Sequence, residues 1–295
     1  MSNYQTFAHV LACPSCGTGL ETSPEAVVCG GCTVTYPNGA NMDLRLQKKK
    51  TVRLDFTIPD VHAPELKFES LTVNPAPQVD FSAIAIPYHI TPELVSYFPK
   101  ATNAGALALD LGCGSTLHRP LCEAAGFGYV GLDYAAPEAP IHGDAHALPF
   151  KDGSFELVLS IAVLEHIQFP FVMMKEVSRV LKPGGKFIGT VAFLEPFHGE
   201  SYYHHSHLGV YNMLHFAGLK IESVSPSAEW SVLEAQASMG LFPKMPRFLS
   251  HALVKPIKLA SRGWWWLASF MRNAASLQKL VRNTTGAFSF VATKR

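Results

Sequence analysis

The chain has 295 residues, of which 48% are hydrophobic and 16% are charged. This composition supports a large buried core and excludes a disordered chain. The sequence has no stretch of about 18 uninterrupted apolar residues, so we expect no membrane-spanning helix. The N-terminus lacks the basic start and apolar run of a signal peptide, and we therefore predict a cytoplasmic protein.

The net charge of +1 hides an uneven distribution. Residues 1–234 carry 14 basic and 23 acidic side chains, whereas residues 235–295 carry ten basic side chains and no acid. A basic tail of this kind favours contact with an anionic partner, such as lipid headgroups or phosphates. The alternative is a basic surface that faces the acidic remainder of the same protein.

Two cysteine pairs lie near the start of the chain, Cys13-Pro-Ser-Cys16 and Cys29-Gly-Gly-Cys32. Each pair places two thiolates on one tight turn, and two such turns supply four soft ligands in a tetrahedral arrangement, which suits Zn²⁺. Because all four ligands are Cys, no position is open to water. We therefore predict a structural zinc ion that replaces a core. Two disulfides are the alternative, which the predicted compartment disfavours.

The segment Leu11–Arg45, which contains both pairs and ends in TYPNGANMDLR, resembles a known module. This is the zinc ribbon at the front of some methyltransferases, including certain ribosomal RNA guanine methyltransferases. The segment also resembles the small Trm112-like proteins that partner with methyltransferases. We therefore predict a zinc ribbon over residues 1–50.

Residues 51–103 contain seven prolines, which break any long helix. The stretch TPELVSYF within them predicts one short helix, with Thr91 as N-cap and Pro92 in its first turn. We therefore predict a connector and an N-terminal helix that leads into the main domain, residues 104–295.

From residue 104 onward the chain alternates between apolar strands and amphipathic helices. The runs ALALDLG, YVGLDY and FELVLS predict buried strands, and PFVMMKEVSRVLK has its apolar residues at helical spacing. This alternation predicts an α/β fold with a doubly wound, mostly parallel sheet that helices cover on both faces. In such sheets, ligands bind at the carboxyl ends of the strands.

The first of these strands ends in a turn, Asp110-Leu111-Gly112-Cys113-Gly114, and the second ends at Asp133, 23 residues after Asp110. A glycine-rich turn lets the backbone approach a ligand, and a strand-end acid at this distance can bind both hydroxyls of a ribose. The third glycine that a dinucleotide pyrophosphate needs is absent, because Ser-Thr-Leu follows Gly114. The turn therefore fits a ligand without a pyrophosphate.

The stretches GDAHALPFKDGSFELVLSIAVLEH and EVSRVLKPGGKF resemble the class I S-adenosylmethionine-dependent methyltransferases, in particular the broad group that modifies small molecules. The resemblance covers residues 105–225 and implies a Rossmann-like, seven-stranded sheet with S-adenosyl-L-methionine as cofactor. Glu156 departs from the family pattern, which has Asp there. The residues expected to bind the cofactor are Asp110, Gly112, Cys113, Gly114, Asp133, Tyr134, Asp144, Ala145 and Ser160.

Five of these residues have an expected role. Asp110 receives the ammonium group of the cofactor's amino acid through the loop, and Asp133 holds the ribose. By resemblance, Asp144 lies beside the adenine with Ala145, and Ser160 lines the methionine portion.

Methyl transfer from a sulfonium is an in-line displacement, and it needs a base only if the acceptor carries a proton with a high pKa. The histidine-rich stretch that begins at Phe193 follows a strand and is expected at the active-site end of the sheet. Its candidate bases are His198 and His204, and His166 in LEHI is a third candidate. The alternatives for these histidines are substrate binding, a metal site or a structural loop.

The last two strands are predicted at LKIESVSPS and GAFSFVATKR, with an insertion over residues 230–285 between them. Apolar residues interspersed with Lys and Arg predict amphipathic helices. The three consecutive tryptophans from Trp264 to Trp266 cannot all face one side of a helix. Two interpretations compete, a lid over an apolar substrate and a peripheral membrane contact through residues 241–282. We favour a lid that also touches the membrane.

These features predict a methyltransferase that acts on a small or lipid-linked metabolite, with oxygen as the favoured acceptor atom. The alternative is a ribosomal or transfer RNA base methyltransferase that uses the zinc ribbon to recognise RNA, in line with the basic tail. Against RNA, the body is acidic and the ribbon has no basic run except Lys48-Lys49-Lys50. A non-catalytic scaffold is a third alternative, which the intact cofactor motifs disfavour.

Overall fold

The computed structural model describes residues 6–56, 75–87, 89–227, 230–271 and 277–295. Its N-terminal part contains three short strands, β1 (Leu20–Thr22), β2 (Ala26–Cys29) and β3 (Thr35–Pro37). They form an antiparallel sheet in the order β1-β2-β3. This sheet places the two cysteine pairs side by side.

The main sheet has eight strands. They are β4 (Met42–Asp43), β5 (Leu107–Leu111), β6 (Gly128–Asp133), β7 (Ile141–His142), β8 (Phe155–Ile161), β9 (Leu181–Ala192), β10 (Leu219–Pro226) and β11 (Ala287–Lys294). Their order is β10-β11-β9-β8-β5-β6-β7-β4. The neighbours from β9 to β4 pair in parallel, and β11 is antiparallel to β9 and β10. Strands β5 to β11 form the predicted seven-stranded sheet, and β4 adds an eighth.

Helices connect the strands and fill the insertion. They are α1 (Pro92–Ser96), α2 (Arg119–Ala124), α3 (Pro170–Val180), α4 (His207–Phe216), α5 (Val232–Ala235), α6 (Arg247–Met271) and α7 (Leu277–Thr284). Helix α1 begins as the sequence predicts, because the Thr91 side chain accepts a 3.2 Å hydrogen bond from the Leu94 amide and Pro92 lies in the first turn.

The sheet is buried on both faces, as the apolar runs predict. Along β5, Leu107, Leu109 and Leu111 belong to one hydrophobic cluster, whereas Ala108 belongs to a second cluster. Successive side chains of a strand point to opposite faces, so the two clusters lie on opposite sides of the sheet. This arrangement fixes the strand ends, and with them the turns that follow.

The N-terminal segment is joined to the main sheet by backbone hydrogen bonds. The Ala12 amide donates to the Pro149 carbonyl at 3.0 Å, and the Lys151 amide donates to the Val10 carbonyl at 2.8 Å. Strand β4 pairs with β7, so the sheet and its core run across residue 50. The domain boundaries at residues 50 and 103 stay predictions.

The insertion lies between β10 and β11 and is helical, as expected. A capping box at Ser231 and Glu234 begins α5, and a π-helical turn, Gln236–Leu241, follows it. None of the helices in the described part of the chain combines the length and the apolarity that a membrane crossing needs.

Candidate functional site

The turn after β5 has a backbone that only glycine accommodates readily. Gly112 has a φ of +74°, and a Cβ added there would lie 2.4 Å from Cγ2 of Val163. Its amide donates a 2.7 Å hydrogen bond to the Leu132 carbonyl at the end of β6. The turn is therefore held against the neighbouring strand, with its backbone exposed toward the carboxyl edge of the sheet.

Asp133, at the end of β6, holds the backbone at this edge of the sheet in place through its carboxylate. One carboxylate oxygen accepts a 3.1 Å hydrogen bond from the Gly114 amide, and the other accepts 3.0 Å bonds from the amides of Ala135 and Ala136. These contacts fix the carboxylate in the wall of a cavity of about 1110 Å³. The cavity lies at the carboxyl ends of the parallel strands, where ligands of such sheets bind.

Five of the predicted cofactor residues line this cavity, namely Gly112, Asp133, Tyr134, Asp144 and Ala145. The sequence did not predict that the segment after β4 would form another wall of it. That wall is formed by Leu46, Lys50, Val52 and Leu54. Farther along, Phe56 stacks on Phe216 with ring centroids 4.5 Å apart. We call residues 46–56 the strap.

Asp144 is held in one orientation by its neighbour His146. The Asp144 carboxylate accepts hydrogen bonds from the His146 amide at 2.8 Å and from His146 Nδ1 at 2.6 Å. The His146 Nε2 accepts a 3.1 Å bond from the Phe169 amide, so the proton of the neutral ring lies on Nδ1. Burial acts to raise the pKa of Asp144, but the His146 bonds outweigh it and hold the pKa below its usual value.

Four predicted cofactor residues are not among the described residues that line the cavity: Asp110, Cys113, Gly114 and Ser160. Gly114 contributes through its amide bond to Asp133. Cys113 is buried, and burial raises the pKa of its thiol. Ser160 is fully buried with an unpartnered hydroxyl. Direct cofactor contacts of these residues stay predictions.

Asp110 lies in the sheet interior behind the turn. Its carboxylate accepts a 2.8 Å hydrogen bond from the Tyr129 hydroxyl and contacts His118 Nδ1 at 3.1 and 3.2 Å. The side chain is fully buried. These contacts support a role in positioning the turn, and the predicted contact with the cofactor's ammonium group stays untested.

The histidine-rich loop folds over the turn that follows β8. His166 lines the cavity together with Glu200 and Tyr202, and its ring lies 5.3 Å from the ring of His198. Burial lowers the pKa of His166. His198 and His204 are not among the described lining residues. His204 Nδ1 donates a 2.9 Å hydrogen bond to the Phe193 carbonyl.

Sequence reasoning missed Glu165, which precedes His166. Its side chain is fully buried, and neither carboxylate oxygen has a hydrogen-bond partner within bonding geometry. Burial raises the pKa of Glu165 to about 7, and nearby backbone amides only partly offset this. The sequence offered one signal for Glu165, an acid that follows a buried strand. The position of Glu165 beside His166 and His198 depends on how the histidine-rich loop folds, which the sequence does not indicate.

The insertion covers the same loop. Trp230 Nε1 donates a 2.6 Å hydrogen bond to Glu195, and the Arg247 guanidinium at the start of α6 lies 5.5 Å from the Trp230 ring centroid. A Cβ on Gly240 would lie 3.7 Å from Pro196. The first part of the insertion therefore packs on the histidine-rich loop. That it acts as a lid stays a prediction.

The four N-terminal cysteines converge. Their sulfur atoms all lie within 4.8 Å of one another, with Cys13 and Cys32 3.7 Å apart and Cys16 and Cys29 3.4 Å apart. A tetrahedral zinc ion with Zn–S bonds of about 2.3 Å requires sulfur atoms about 3.8 Å apart, which these distances approach. The structure has no disulfide among the six cysteines, all of which lie in its described residues, and the cluster therefore fits zinc better than the disulfide alternative.

Comparisons with known proteins agree with the motifs. Residues 109–189 match the family model described as "Methyltransferase domain". An uncharacterized methyltransferase of Mycobacterium marinum is 34% identical in a match of 110 positions that covers 32% of this chain and 43% of that protein. One of Mycobacterium tuberculosis is 33% identical in a match of 109 positions, with coverages of 32% and 43%. The chain thus spans less than half the length of these relatives.

Solved structures give looser matches. A chain in the complex between the Haloferax volcanii Trm112 methyltransferase activator and a methyltransferase is 21% identical, with a TM-score of 0.47, and the match covers 70% of this chain and 89% of that one. Phosphoethanolamine N-methyltransferase 2 of Haemonchus contortus, in complex with S-adenosyl-L-methionine, is 20% identical, with a TM-score of 0.41 and coverages of 67% and 49%. The family match includes every predicted cofactor residue from Asp110 to Ser160.

Proposed function

We propose, from the class I S-adenosylmethionine-dependent methyltransferase domain that the chain carries, that this protein transfers a methyl group to an oxygen of a small or lipid-linked metabolite. One observation carries the proposal. Gly112 and Asp133 line the same cavity, and Asp144 and Ala145 line it as well. This arrangement requires no phosphate-binding turn, in keeping with the missing third glycine.

The residues present fit the cofactor. Gly112 offers bare backbone where a side chain would clash, and Asp133 offers a fixed carboxylate that suits two ribose hydroxyls. Asp144 is oriented by His146 and can accept from an exocyclic amine. The bound cofactor supplies an electrophilic methyl group on a sulfonium. The chain's task is to orient both reactants and to exclude water.

The acceptor is proposed to bind beside His166, Glu200 and Tyr202, which line the cavity. Transfer to a hydroxyl forms an O–C bond while the C–S bond of the sulfonium breaks and leaves a neutral thioether. The hydroxyl proton has to leave, and His166 is the predicted base that faces the cavity. His198 and His204 remain candidates that would act only after the loop moves.

The lid supports a small or lipid-linked acceptor over RNA. Trp230, which precedes α5, bonds to Glu195 of the histidine-rich loop, and Arg247 at the start of α6 lies over the Trp230 ring, so the insertion packs on the loop that carries the proposed acceptor side. The basic run next to the ribbon contributes one of its residues to the cavity wall, because Lys50 lines the cavity. RNA methylation stays the alternative, and labelling of RNA distinguishes it.

The cysteine cluster is proposed to hold a structural zinc ion. Four thiolates leave no open coordination position for a substrate or a water, so no catalytic step is assigned to this metal. The cluster instead fixes the turn before β1 and the turn after β2, next to the residues that contact the main sheet.

The test compares the wild-type protein with Asp133→Asn and with Glu138→Gln, an exposed acid near the same turn. We expect calorimetry to detect S-adenosylmethionine binding to wild type and Glu138→Gln, and at least about tenfold weaker binding to Asp133→Asn. Labelled methyl groups should enter the organic-soluble fraction of a cell extract. Equal binding by all three proteins contradicts the cofactor site, and labelling of RNA alone contradicts the acceptor class.

A further inference from the structure

A second cluster of ligand-type side chains lies beside the cavity. One carboxylate oxygen of Glu165 and one ring nitrogen each of His166 and His198 lie within 4.8 Å of one another. The three groups come from two segments, the turn after β8 and the histidine-rich loop. Only the folded loop therefore brings them together.

Glu165 is the reason to expect a ligand there. A fully buried carboxylate without a hydrogen-bond partner is costly, because nothing replaces the water that solvated it. Buried charges in proteins are usually paired or bound to a metal ion. Two imidazoles have a ring nitrogen within 4.8 Å of a carboxylate oxygen, and neither forms a hydrogen bond with it.

The orientation of His198 also fits a metal ligand. Its Nδ1 lies 3.2 Å from the Pro196 carbonyl oxygen, which can only accept, so Nδ1 is the donor and Nε2 is the ring nitrogen left for a metal ion. A backbone carbonyl that fixes the second ring nitrogen in this way is usual for metal-binding histidines. Gly199, with a φ of +52°, has its Cα facing His166, since an added Cβ would lie 3.5 Å from His166 Cε1.

We infer that Glu165, His166 and His198 bind a divalent cation at the acceptor end of the cavity. Two imidazoles and one carboxylate suit first-row divalent ions with mixed nitrogen and oxygen coordination, and they leave positions open toward the cavity that His166 lines. Binding of the cation does not depend on the proposed function. Its chemical use does, because a cation there would hold the acceptor's oxygen and lower the pKa of its hydroxyl. With the cation bound, His166 would serve as a ligand and this effect would take the place of proton transfer to His166.

The test is Mn²⁺ binding, followed by electron paramagnetic resonance on protein whose cysteine cluster is loaded with Zn²⁺. Mn²⁺ prefers oxygen and nitrogen ligands over thiolates, so the cysteine cluster does not compete. We expect one Mn²⁺ per chain, and affinities weaker by about tenfold or more in Glu165→Gln and His198→Ala. His215→Ala, at an exposed position of α4, is the matched control and should bind as wild type does.

Thermal unfolding separates a binding defect from a folding defect. Mn²⁺ should raise the unfolding temperature of wild type and His215→Ala and leave that of Glu165→Gln unchanged. Equal Mn²⁺ affinity in all four proteins, or no binding by wild type, overturns the inference. S-adenosylmethionine binding measured on the same preparations reports the proposed function independently.

A different observation carries a second inference, which concerns the outer face of α6. Nine large apolar side chains on this helix are exposed, including Phe248 at 72%, Trp266 at 66% and Phe270 at 71%. The others are Leu249, Leu253, Ile257, Leu259, Trp264 and Leu267. At 3.6 residues per turn, these side chains share one half of the helix surface. We call this half the apolar face of α6.

The opposite half of α6 packs on the protein. Ser250 and Val254 are buried, and Lys258 bonds to both carboxylate oxygens of Glu234 at 2.8 Å. Exposed Lys255 and Arg262 border the apolar face on one side. No acid occurs from residue 235 to the C-terminus, so the charge around this face is positive.

We propose that the apolar face of α6 docks on an anionic lipid bilayer surface. Charge complementarity selects this occupant. The Lys and Arg side chains match anionic headgroups, and the Trp- and Phe-rich face matches the boundary between headgroups and acyl chains. The helix would lie in the plane of the interface. This proposal agrees with the predicted contact through residues 241–282 and is compatible with a lid, since the two use opposite halves of α6.

The test is sedimentation with vesicles that contain phosphatidylserine, compared with vesicles of phosphatidylcholine alone. We expect the wild type to bind the anionic vesicles, with a blue shift of its tryptophan fluorescence, and to dissociate at high salt. The double variant Trp266→Glu/Phe270→Glu should lose binding, whereas Ser269→Glu, on the polar side of the same turn, should retain most of it. Binding by the double variant equal to that of wild type contradicts the proposal. A dimer that the double variant abolishes, without vesicle binding by wild type, identifies a second copy of the chain as the occupant and overturns it.

Discussion

Lys50 Nζ donates a 2.8 Å hydrogen bond to the carbonyl oxygen of Pro14, which links the cavity wall to the first cysteine pair. Pro14 lies between Cys13 and Cys16, so the conformation of this carbonyl depends on the turn that the two cysteines form. The strap that Lys50 belongs to covers the proposed cofactor site. The state of the cysteine cluster is therefore physically connected to the wall of that site.

We expect Lys50→Ala to weaken S-adenosylmethionine binding by about threefold to tenfold, which corresponds to the loss of one charge-assisted hydrogen bond. Removal of the proposed zinc ion by a chelator should weaken S-adenosylmethionine binding further, because the whole turn loosens. Calorimetry on wild type, Lys50→Ala and the exposed neighbour Lys49→Ala measures the effect. Unchanged binding after complete zinc removal would show that the strap holds its position without the cluster.

A second prediction concerns Gly112, in the turn after β5. Gly112→Ala places a Cβ 2.4 Å from Val163 at a φ of +74°, so both sterics and backbone conformation oppose it. We expect a loss of about 1–3 kcal/mol in the free energy of unfolding and a marked loss of cofactor binding. Gly39→Ala is the control, because its Cβ would meet nothing within 4 Å. Chemical denaturation that gives the same stability for both variants contradicts this role of Gly112.

Much of the site was predictable from the sequence, because it depends on strand ends. An apolar run that stops at an acid or a glycine marks the carboxyl edge of a parallel sheet, and Gly112 and Asp133 were found in this way. The helix N-cap at Thr91 was predicted on similarly local grounds. These features need only a few neighbouring residues, so a single sequence contains the whole signal.

The parts that were not predictable depend on distant contacts. Strand β7 has two residues, Ile141 and His142, and so short a strand has no periodicity to detect. The strap lines the cavity because β4 pairs with β7, a pairing that the linear pattern does not indicate. The sequence did not single out Glu165, because its unpartnered burial arises only when the loop from Phe193 folds over it.

A third prediction concerns Asp110, whose carboxylate is fully buried. Burial and the Asp110 charge raise the pKa of Tyr129, so its hydroxyl remains the donor in their 2.8 Å hydrogen bond. Tyr129→Phe removes this hydrogen bond and leaves the Asp110 carboxylate with its 3.1 Å contact to His118. We expect a loss of about 1–3 kcal/mol in the free energy of unfolding. The exposed Tyr134→Phe should cost little, and urea titrations that do not distinguish the two variants contradict the prediction.

The last prediction concerns the ion pair that holds α6 against the rest of the insertion. Lys258 on α6 bonds to both carboxylate oxygens of Glu234, and the two side chains are only 21% and 14% exposed. Glu234→Gln removes the charge that anchors α6. We expect amide hydrogen exchange in α6 to accelerate by about 5- to 100-fold, which corresponds to about 1–3 kcal/mol of local stability. Lys258→Gln should give a similar change and Lys255→Gln, on the exposed side of the helix, almost none.

The pH dependence of this effect follows from the same contacts. Burial acts to raise the pKa of Glu234, but hydrogen bonds from Lys258 and Ser231 outweigh it and hold the pKa below its usual value. A carboxylate whose pKa is depressed in the folded state contributes stability above its unfolded pKa, and this contribution is lost as the pH falls through the folded pKa. The difference in α6 exchange between wild type and Glu234→Gln should therefore be full at pH 7 and shrink below about pH 4. A difference that persists undiminished at pH 3, once exchange rates are corrected for pH, would show that the ion pair does not anchor α6.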